Sequence, residues 1–200
     1  MKNNISVGLL NNAKLEFYPA DAKKWEDFEK LFGERGACGG CWCMSWRLKS
    51  SDFSKQKGAA NKEAIKKIVR ANEKPGILAY YEKKPIGWCA VAPREKYVRL
   101  ERSKVLKKID DQPVWSVSCL FVAKEYRKKG LSIELIKAAV KFCKSQGARI
   151  VEAYPIVPYS NNMPAAFAWT GVQSAFEKAG FNVIERRSKT RPIMRFILDI

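Results

Sequence analysis

The chain has 200 residues, 46% of them hydrophobic, so it can bury a sizeable core and is not expected to be disordered. Its 38 basic and 20 acidic residues give a net charge of +18, which attracts polyanions but also fits a lysine-rich, solvated surface. Histidine is absent, which excludes the commonest general base and the commonest metal ligand.

The start of the chain, Met1–Leu10, carries one lysine and only a weak apolar stretch. It lacks the apolar region and the small-residue cleavage site of a secretory signal peptide. No apolar run elsewhere approaches the ~20 residues that cross a bilayer. We therefore expect a cytoplasmic protein with one domain over residues 1–200, no membrane contact, and six cysteines kept as free thiols.

The first half of the chain alternates extended and helical patterns. Two segments show apolar residues at helical spacing, and two short apolar runs joined by Glu82-Lys83-Lys84-Pro85 indicate a β-hairpin. The predicted elements are strand Leu15–Pro19, helix Ala22–Phe32, helix Asn61–Asn72, and strands Ile77–Tyr81 and Ile86–Ala92. Two segments fit no regular pattern: Gly33–Lys57 is rich in Gly, Cys and Ser, and Pro93–Ile109 is basic, amphipathic and ambiguous.

The second half contains the clearest helix, Gly130–Gly147, whose apolar stripe opposes a charged one and which ends at a glycine. It joins strands Val114–Val122 and Ile150–Tyr154, so these strands should be parallel neighbours with a right-handed crossover. Helix Gly171–Ala179 and strands Phe181–Arg187 and Ile193–Leu198 complete the chain. We predict an α/β (α+β) fold, with a mixed sheet and helices on both faces.

The turn before this helix has the composition of a phosphate site. A helix N-terminus offers unpaired N–H donors and the positive end of a dipole. Gly130 and Ser132 keep bulk away from that backbone, and Arg127, Lys128 and Lys129 add positive charge. An ordinary basic loop before a helix has the same features, so these residues alone leave both interpretations open.

The motif Arg127-x-x-Gly130-x-Ser132 resembles the (Q/R)-x-x-G-x-(G/A) signature of the GNAT acetyltransferases, with Ser132 as a small departure. The stretch Ala175–Phe181 is similar to the family's Y-E-K-x-G-F junction between a helix and a strand. The predicted strands also follow the family's order, from about residue 15 to residue 198. The resemblance implies a GNAT fold in which the fourth and fifth strands splay apart.

The resemblance also implies acetyl-CoA as the co-substrate. The pantetheine arm would pair with the fourth strand, and the pyrophosphate would lie on amides of residues 128–132. The implied cofactor-binding residues are Leu120, Val122, Arg127, Lys128, Lys129, Gly130, Leu131 and Ser132.

The two catalytic groups common in the family are replaced in this chain. The position of the family's glutamate base is Ser116, which could only orient a water, and the position of its tyrosine acid is Phe176, which has no proton to donate. Tyr154 is the best substitute donor because it ends the fifth strand, with Glu152 on the same face. A half-buried strand tyrosine without a catalytic function is the competing interpretation of Tyr154, and catalysis by positioning and bulk water stays open as well.

The segment Cys38–Arg47, CGGCWCMSWR, is unusual in composition. Its C-x-x-C is half of a zinc site without a second half, so we predict no metal. In the family this region walls the acceptor site, so Trp42, Trp46 and Arg47 are expected to form an apolar pocket with one anionic contact. The alternative is a buried loop at the edge of the core.

Two further features concern the same region. The run C-W-C-M-x-W-R, together with Glu152-Ala153-Tyr154-Pro155, resembles a subgroup of GNAT proteins, which supports membership and leaves the substrate open. Cys119, on the predicted fourth strand, is a candidate nucleophile, although its apolar neighbours favour a buried structural thiol.

We predict an acyl-CoA-dependent N-acyltransferase that carries acetyl to a primary amine of a small molecule or peptide. The first alternative is a non-catalytic acyl-CoA-binding or regulatory domain, which the missing glutamate and tyrosine favour. The second is a nucleic-acid-binding module, which the charge favours but no recognisable binding motif supports. The oligomeric state stays open, a homodimer included.

Overall fold

The computed structural model describes residues 14–160 and 163–198, so the Met1–Leu10 segment lies outside it. One sheet contains all seven strands of the described residues. They are β1 (Leu15–Pro19), β2 (Gly76–Tyr81), β3 (Lys84–Pro93), β4 (Trp115–Val122), β5 (Ile150–Ala153), β6 (Asn182–Glu185) and β7 (Ile193–Ile197). Their order across the sheet is β1-β2-β3-β4-β5-β7-β6.

The sheet is mixed, as predicted, because β4 and β5 are parallel while every other neighbouring pair is antiparallel. The pairing of β4 with β5 runs only from Trp115 opposite Val151 to Val117 opposite Ala153. Beyond Val117, β4 continues without a β5 partner. Its register with β3 also shifts here, so that Ser118 bulges out between the paired residues Val117 and Cys119. The two strands therefore part in the middle of the sheet.

Six α-helices connect the strands of the described residues. They are α1 (Trp25–Phe32), α2 (Ser50–Lys55), α3 (Ala59–Arg70), α4 (Val98–Glu101), α5 (Leu131–Ser145) and α6 (Gln173–Lys178). The pattern of the sequence predicts α1, α3, α5 and α6 but neither α2 nor α4. Both missed helices are short, and α2 has no buried residue, so neither produces an apolar period.

The two faces of the sheet carry separate apolar clusters. Cys89 and Val91 of β3 pack with α5 and α6, whereas Trp88 and Ala90 of the same strand pack with α1 and α3. This alternation follows from the two-residue period of a strand, and it confirms the prediction of helices on both faces. Among the described residues, no helix is long and apolar enough to span a membrane.

Candidate active site

The parting of β4 and β5 opens a cavity of about 560 Å³. One side is β4 from Leu120 to Val122, and the other is the segment that follows β5. That segment crosses the gap, where the Trp169 carbonyl accepts a hydrogen bond of 2.7 Å from the Leu120 amide. The cavity therefore lies at the point where the fold leaves strand edges unpaired.

The start of α5 forms the floor of this cavity. Gly130 has φ 80°, a left-handed conformation that glycine adopts without strain, and no side chain caps the helix. The first N–H groups of a helix have no partner within it, so they are available to an anion. Of the predicted phosphate residues, Arg127, Lys128, Gly130, Leu131 and Ser132 line the cavity.

Three other predicted cofactor residues are placed as follows. Lys129 does not line the cavity, and its ammonium lies 5.7 Å from the centre of the Tyr126 ring. Leu120 and Val122 do line it. Both have backbone groups with intrachain partners, since the Leu120 amide bonds Trp169 and the Val122 carbonyl accepts 2.9 Å from Arg127 Nε.

A second cavity, of about 210 Å³, adjoins the first and shares Cys38, Leu120 and Trp169 with it. Its wall is aromatic and sulfur-rich and contains no charged side chain. The residues that characterise it are Phe32, Cys41, Cys43, Trp46, Phe53 and Cys119. Such a wall suits an apolar group and gives no ion-pair partner to a charged one.

The loop between α1 and α2 reaches this cavity through a strained backbone. Ala37, Trp42 and Cys43 all have positive φ, of 64°, 43° and 60°. For residues with a side chain, such angles cost free energy and are kept where the surrounding structure fixes them. Here the fixed position brings the Cys43 sulfur to 3.1 Å from the Trp88 indole nitrogen, which donates to it.

Cys43 and Cys119 meet at the wall of the smaller cavity. A hydrogen bond from the Cys119 thiol lowers the pKa of Cys43, against the effect of burial, and the Trp88 N–H and the charge of Arg47 lower it further. The pKa of Cys119 is raised well above its ordinary value by the same hydrogen bond and by burial. Of the two thiols, Cys43 is therefore the one that loses its proton more readily.

The three residues predicted for the acceptor pocket do not lie together. Trp46 lines the smaller cavity, whereas Trp42 is only 2% exposed and stacks on Phe32 in the core. Arg47 points elsewhere, to a separate cavity of about 500 Å³, and its guanidinium lies 4.9 Å from the Tyr97 ring.

Tyr154 and Ser116, the predicted catalytic pair, are brought together but lie outside both cavities. The Tyr154 hydroxyl is 2.9 Å from Ser116 Oγ, donates to Glu152 Oε1 at 2.6 Å, and accepts from Arg94 Nη1 at 2.5 Å. The side chain is 1% exposed, and burial with the neighbouring Glu152 carboxylate raises its pKa.

Glu152 is the centre of this buried network. Its two carboxylate oxygens accept hydrogen bonds from Arg94 at 3.0 Å and from Arg195 at 2.8 Å. Arg195 in turn donates twice to Asp110. The network links β5 and β7 to the segment between β3 and β4, which favours a structural function for its members.

Phe176, where the family resemblance expects a tyrosine, lies close to the cleft. It is fully buried, and a Cβ added to Gly171 would lie 2.6 Å from its ring and 2.8 Å from Leu120 Cδ1. The vacated position therefore lies beside β4, where the resemblance places it. No cluster of three or more His, Cys, Asp or Glu side chains in residues 14–160 and 163–198 could hold a metal ion.

Several lining residues have no counterpart among the predictions, notably Phe53, Ala166 and Trp169. The burial of Trp169 could have been predicted, because a tryptophan is seldom fully exposed to solvent even in a proline-rich loop. Phe53 carried none, since α2 lacks an apolar period.

Comparison with known proteins gives a consistent picture. The sequence profile described as "Acetyltransferase (GNAT) family" matches residues 42–181. The structure of PaiA N-acetyltransferase from Thermoplasma acidophilum in complex with coenzyme A has a TM-score of 0.52 and 16% identity, over 92% of this chain and 99% of that one.

Two other solved structures show the same likeness. A GNAT-family acetyltransferase from Listeria monocytogenes gives a TM-score of 0.55 at 12% identity, over 92% of this chain and 95% of that one. The NatC complex bound to Gag peptide and CoA gives 0.53 at 12%, over 93% and 99%. Identities this low establish a shared fold alone. The chain has no significant match among curated proteins.

Proposed function

The chain belongs to the GNAT acetyltransferase family, and from this premise we propose that it transfers an acyl group, acetyl in the first instance, from coenzyme A to a primary amine. The observation that carries the proposal is the cavity between the parted strands β4 and β5, with the uncapped start of α5 at its floor. A diphosphate needs the donors and the positive dipole end that this helix start offers.

Coenzyme A fits the larger cavity by its chemistry. Its pyrophosphate would lie on the amides of Leu131 and Ser132, with Arg127 and Lys128 as counter-charges, and its pantetheine arm would run along β4. Pairing at Leu120 would require the Trp169 carbonyl to release its hydrogen bond. The PaiA and NatC structures are both complexes with coenzyme A, which supports this assignment.

The smaller cavity is proposed as the acceptor site, because it opens beside Leu120 on the opposite side from α5. At about 210 Å³ it is below the usual size of a small-molecule pocket. Its aromatic and thiol wall favours an amine with a small apolar or aromatic group, whether that amine is a metabolite or a peptide residue. We further propose that Trp46 contacts this group.

Acetyl-CoA binding at α5 is tested by Gly130→Glu. Acetyl-CoA should raise the melting temperature of the native protein, because it binds only the folded state. Gly130→Glu places bulk and a negative charge at the phosphate position and should abolish that rise. The matched control is Gly147→Glu at the other end of α5, where φ is 78° and a Cβ meets no atom within 4 Å. An undiminished rise in Gly130→Glu would place the phosphate site elsewhere.

A non-catalytic acyl-CoA-binding function is the second candidate. Ser116 and Phe176 stand at the two usual catalytic positions, and Tyr154 lies outside the cleft. Incubation with acetyl-CoA and a panel of small apolar amines separates the two, with amide product measured by mass spectrometry. Acetyl-CoA binding without product for any amine would favour the second candidate.

A further inference from the structure

The wall of the acceptor cavity contains titratable groups of only one kind. No Asp, Glu, Lys, Arg or Tyr lines the 210 Å³ cavity among the described residues, and its four ionisable side chains are cysteines. They are Cys38, Cys41, Cys43 and Cys119. The wall also has one hydroxyl, that of Ser45, which accepts a hydrogen bond from Arg99. A thiol ionises more readily than a hydroxyl, so the cysteines are the reactive groups at this wall.

Cys119 has the position that a nucleophile requires. It lies on β4, directly before Leu120, and its partly exposed side chain faces the cavity beside the gap between β4 and β5. The thioester of acyl-CoA bound along β4 would enter the same gap. Cys119 would therefore lie near the thioester carbon of an acyl-CoA bound there.

Cys43 has the environment that a base requires. It is 6% exposed and accepts the Trp88 indole N–H at 3.1 Å, a donor that stabilises a negative sulfur. It shares a hydrogen bond with Cys119. Two consecutive positive φ angles, at Trp42 and Cys43, hold it there, so the loop maintains this contact at a cost in strain.

Resting on the function proposed above, we propose that Cys119 takes up the acyl group from coenzyme A, with Cys43 as its base, so that transfer proceeds through an S-acyl enzyme. This sequence uses the one kind of reactive group that the wall offers and needs neither the missing glutamate nor the missing tyrosine. The thiol pair thus acts as nucleophile and base, as in other covalent catalysts.

The first half-reaction balances without any other reactant. The Cys119 proton moves to the Cys43 thiolate as the Cys119 sulfur attacks the thioester carbonyl carbon. The bond from that carbon to the coenzyme A sulfur breaks, and the departing thiolate takes the proton from Cys43. The products are Cys119 acyl thioester, coenzyme A thiol and the Cys43 thiolate. One thioester is exchanged for another, so the step is close to neutral in free energy.

In the second half-reaction a neutral amine attacks the Cys119 thioester. Its nitrogen forms the amide bond as the bond from carbon to the Cys119 sulfur breaks. One proton of the amine passes to that sulfur through Cys43, which restores the starting pair. The acceptor needs no partner beyond the cavity wall.

The other cysteines do not share this environment. Burial raises the pKa of Cys41, whose thiol donates to the Gly36 carbonyl, and Cys38 is exposed at the mouth of the cavity. Cys89 and Cys143 are buried on the α5 face of the sheet. Cys143 therefore offers a matched control, since it lines neither cavity and lies on the opposite face of the sheet from the pair.

The test uses the full chain and acetyl-CoA with no amine present. We expect a burst of about one equivalent of free coenzyme A, measured by chromatography because the protein has thiols of its own, and one acetyl group on Cys119 by peptide mapping. Cys119→Ala should lose both while keeping the melting shift with acetyl-CoA. Cys43→Ala should slow the burst by ~10²-fold or more, and Cys143→Ala should leave it unchanged.

Two results overturn the proposal while leaving the proposed function intact. One is a wild-type protein that binds acetyl-CoA and acetylates an amine but never carries acetyl on Cys119, on the time scale of turnover. The other is undiminished amide formation by Cys119→Ala. If the wild-type protein shows no melting shift with acetyl-CoA, the proposed function fails and the covalent route fails with it.

Discussion

The Tyr154 hydroxyl lies outside both cavities. Its hydrogen-bond partners are Glu152, Arg94 and Ser116, which together use its donor and its acceptor capacity. A hydroxyl so placed is stabilised by its environment and shielded from the cleft. The same side chain in the gap between β4 and β5 would have served as an acid. Whether Tyr154 can donate a proton to the substrate depends on the direction of its side chain, and the residue type alone does not specify that direction.

Tyr154→Phe decides between the two functions of this tyrosine. As a proton donor, its loss would lower turnover by ~10²-fold with little change in the Michaelis constant. As a network member, its loss leaves buried partners unsatisfied and lowers the free energy of unfolding by about 1 to 3 kcal/mol. We expect the second result because the hydroxyl is 1% exposed. Steady-state kinetics and urea denaturation of the same variant measure both quantities.

The rate of Cys119 acylation should depend on the ionisation of Cys43. The base is the thiolate, and the pKa of Cys43 lies below its ordinary value, so the rate is full above that pKa and falls as pH decreases through it. The other titratable or charged groups around Cys43 are Arg47, Cys41, Cys89, Cys119 and Tyr97.

The pKa values of these neighbouring thiols and of the Tyr97 phenol are raised, so they stay neutral while Cys43 titrates. The measurement is the coenzyme A burst between about pH 5 and 8, the range that spans a depressed thiol pKa. The melting shift with acetyl-CoA over the same range serves as the control for binding. A burst rate that is flat or rises toward acid would show that Cys43 is not the base.

At the scale of elements, buried ion pairs hold the segment between β3 and β4 against the sheet. Arg94 begins that segment and meets Glu152 of β5, and Asp110 near its end meets Arg195 of β7. A buried carboxylate shared by two guanidinium groups keeps each of them compensated. This arrangement fixes the segment together with an apolar cluster that includes Tyr97, Leu100 and Leu106.

Glu152→Ala should therefore lower the free energy of unfolding substantially. It leaves Arg94 and Arg195 without their buried carboxylate, and losing one partner of a buried pair costs about 3 to 5 kcal/mol. Glu63→Ala is the matched control, because Glu63 and Arg70 form an exposed pair at 3.5 Å and such pairs contribute about 0 to 1 kcal/mol. Urea denaturation compares the two variants. Equal losses would show that the network does not hold the segment.

The elements that the sequence predicts well are those with a strong period or a fixed local requirement. The β4-α5-β5 unit combines both, with a β-branched strand, a helix of 15 residues and Gly130 at the start of α5. Connectivity then places β4 beside β5 in parallel. The parting of β4 and β5 was predicted only from the family resemblance, because no periodic pattern in the sequence indicates it.

The parts that escaped prediction depend on contacts distant in sequence. Trp42 and Arg47 lie outside the expected pocket, and no residue type predicts the φ of 43° that the loop adopts at Trp42. The pairing of Cys43 with Cys119 joins residues 76 positions apart, through the same loop. Strand alternation correctly placed Glu152 and Tyr154 on one face, but the arginines that fill that face come from elsewhere.

At the scale of the whole molecule, positive charge is widespread, whereas the features that bind a phosphate occur together at one cavity. The net charge of +18 is spread over the chain, whereas no Lys, Arg, Asp or Glu among the described residues lines the acceptor cavity. The larger cavity is where basic residues meet an uncapped helix start. A diffuse charge attracts any polyanion, but only the larger cavity combines that charge with backbone donors for a phosphate.

The protein should consequently bind nucleic acids with little sequence selectivity, and its affinity should fall steeply as the salt concentration rises. Attraction by a diffuse positive surface acts on phosphates alone, so two DNA duplexes of equal length and unrelated sequence should bind equally. If six or more phosphates are contacted, affinity should fall by about 10³-fold or more between about 50 and 200 mM salt. Fluorescence anisotropy with both duplexes measures this. A preference for one sequence that survives about 150 mM salt would contradict it, since base readout requires a docking surface that charge alone does not supply.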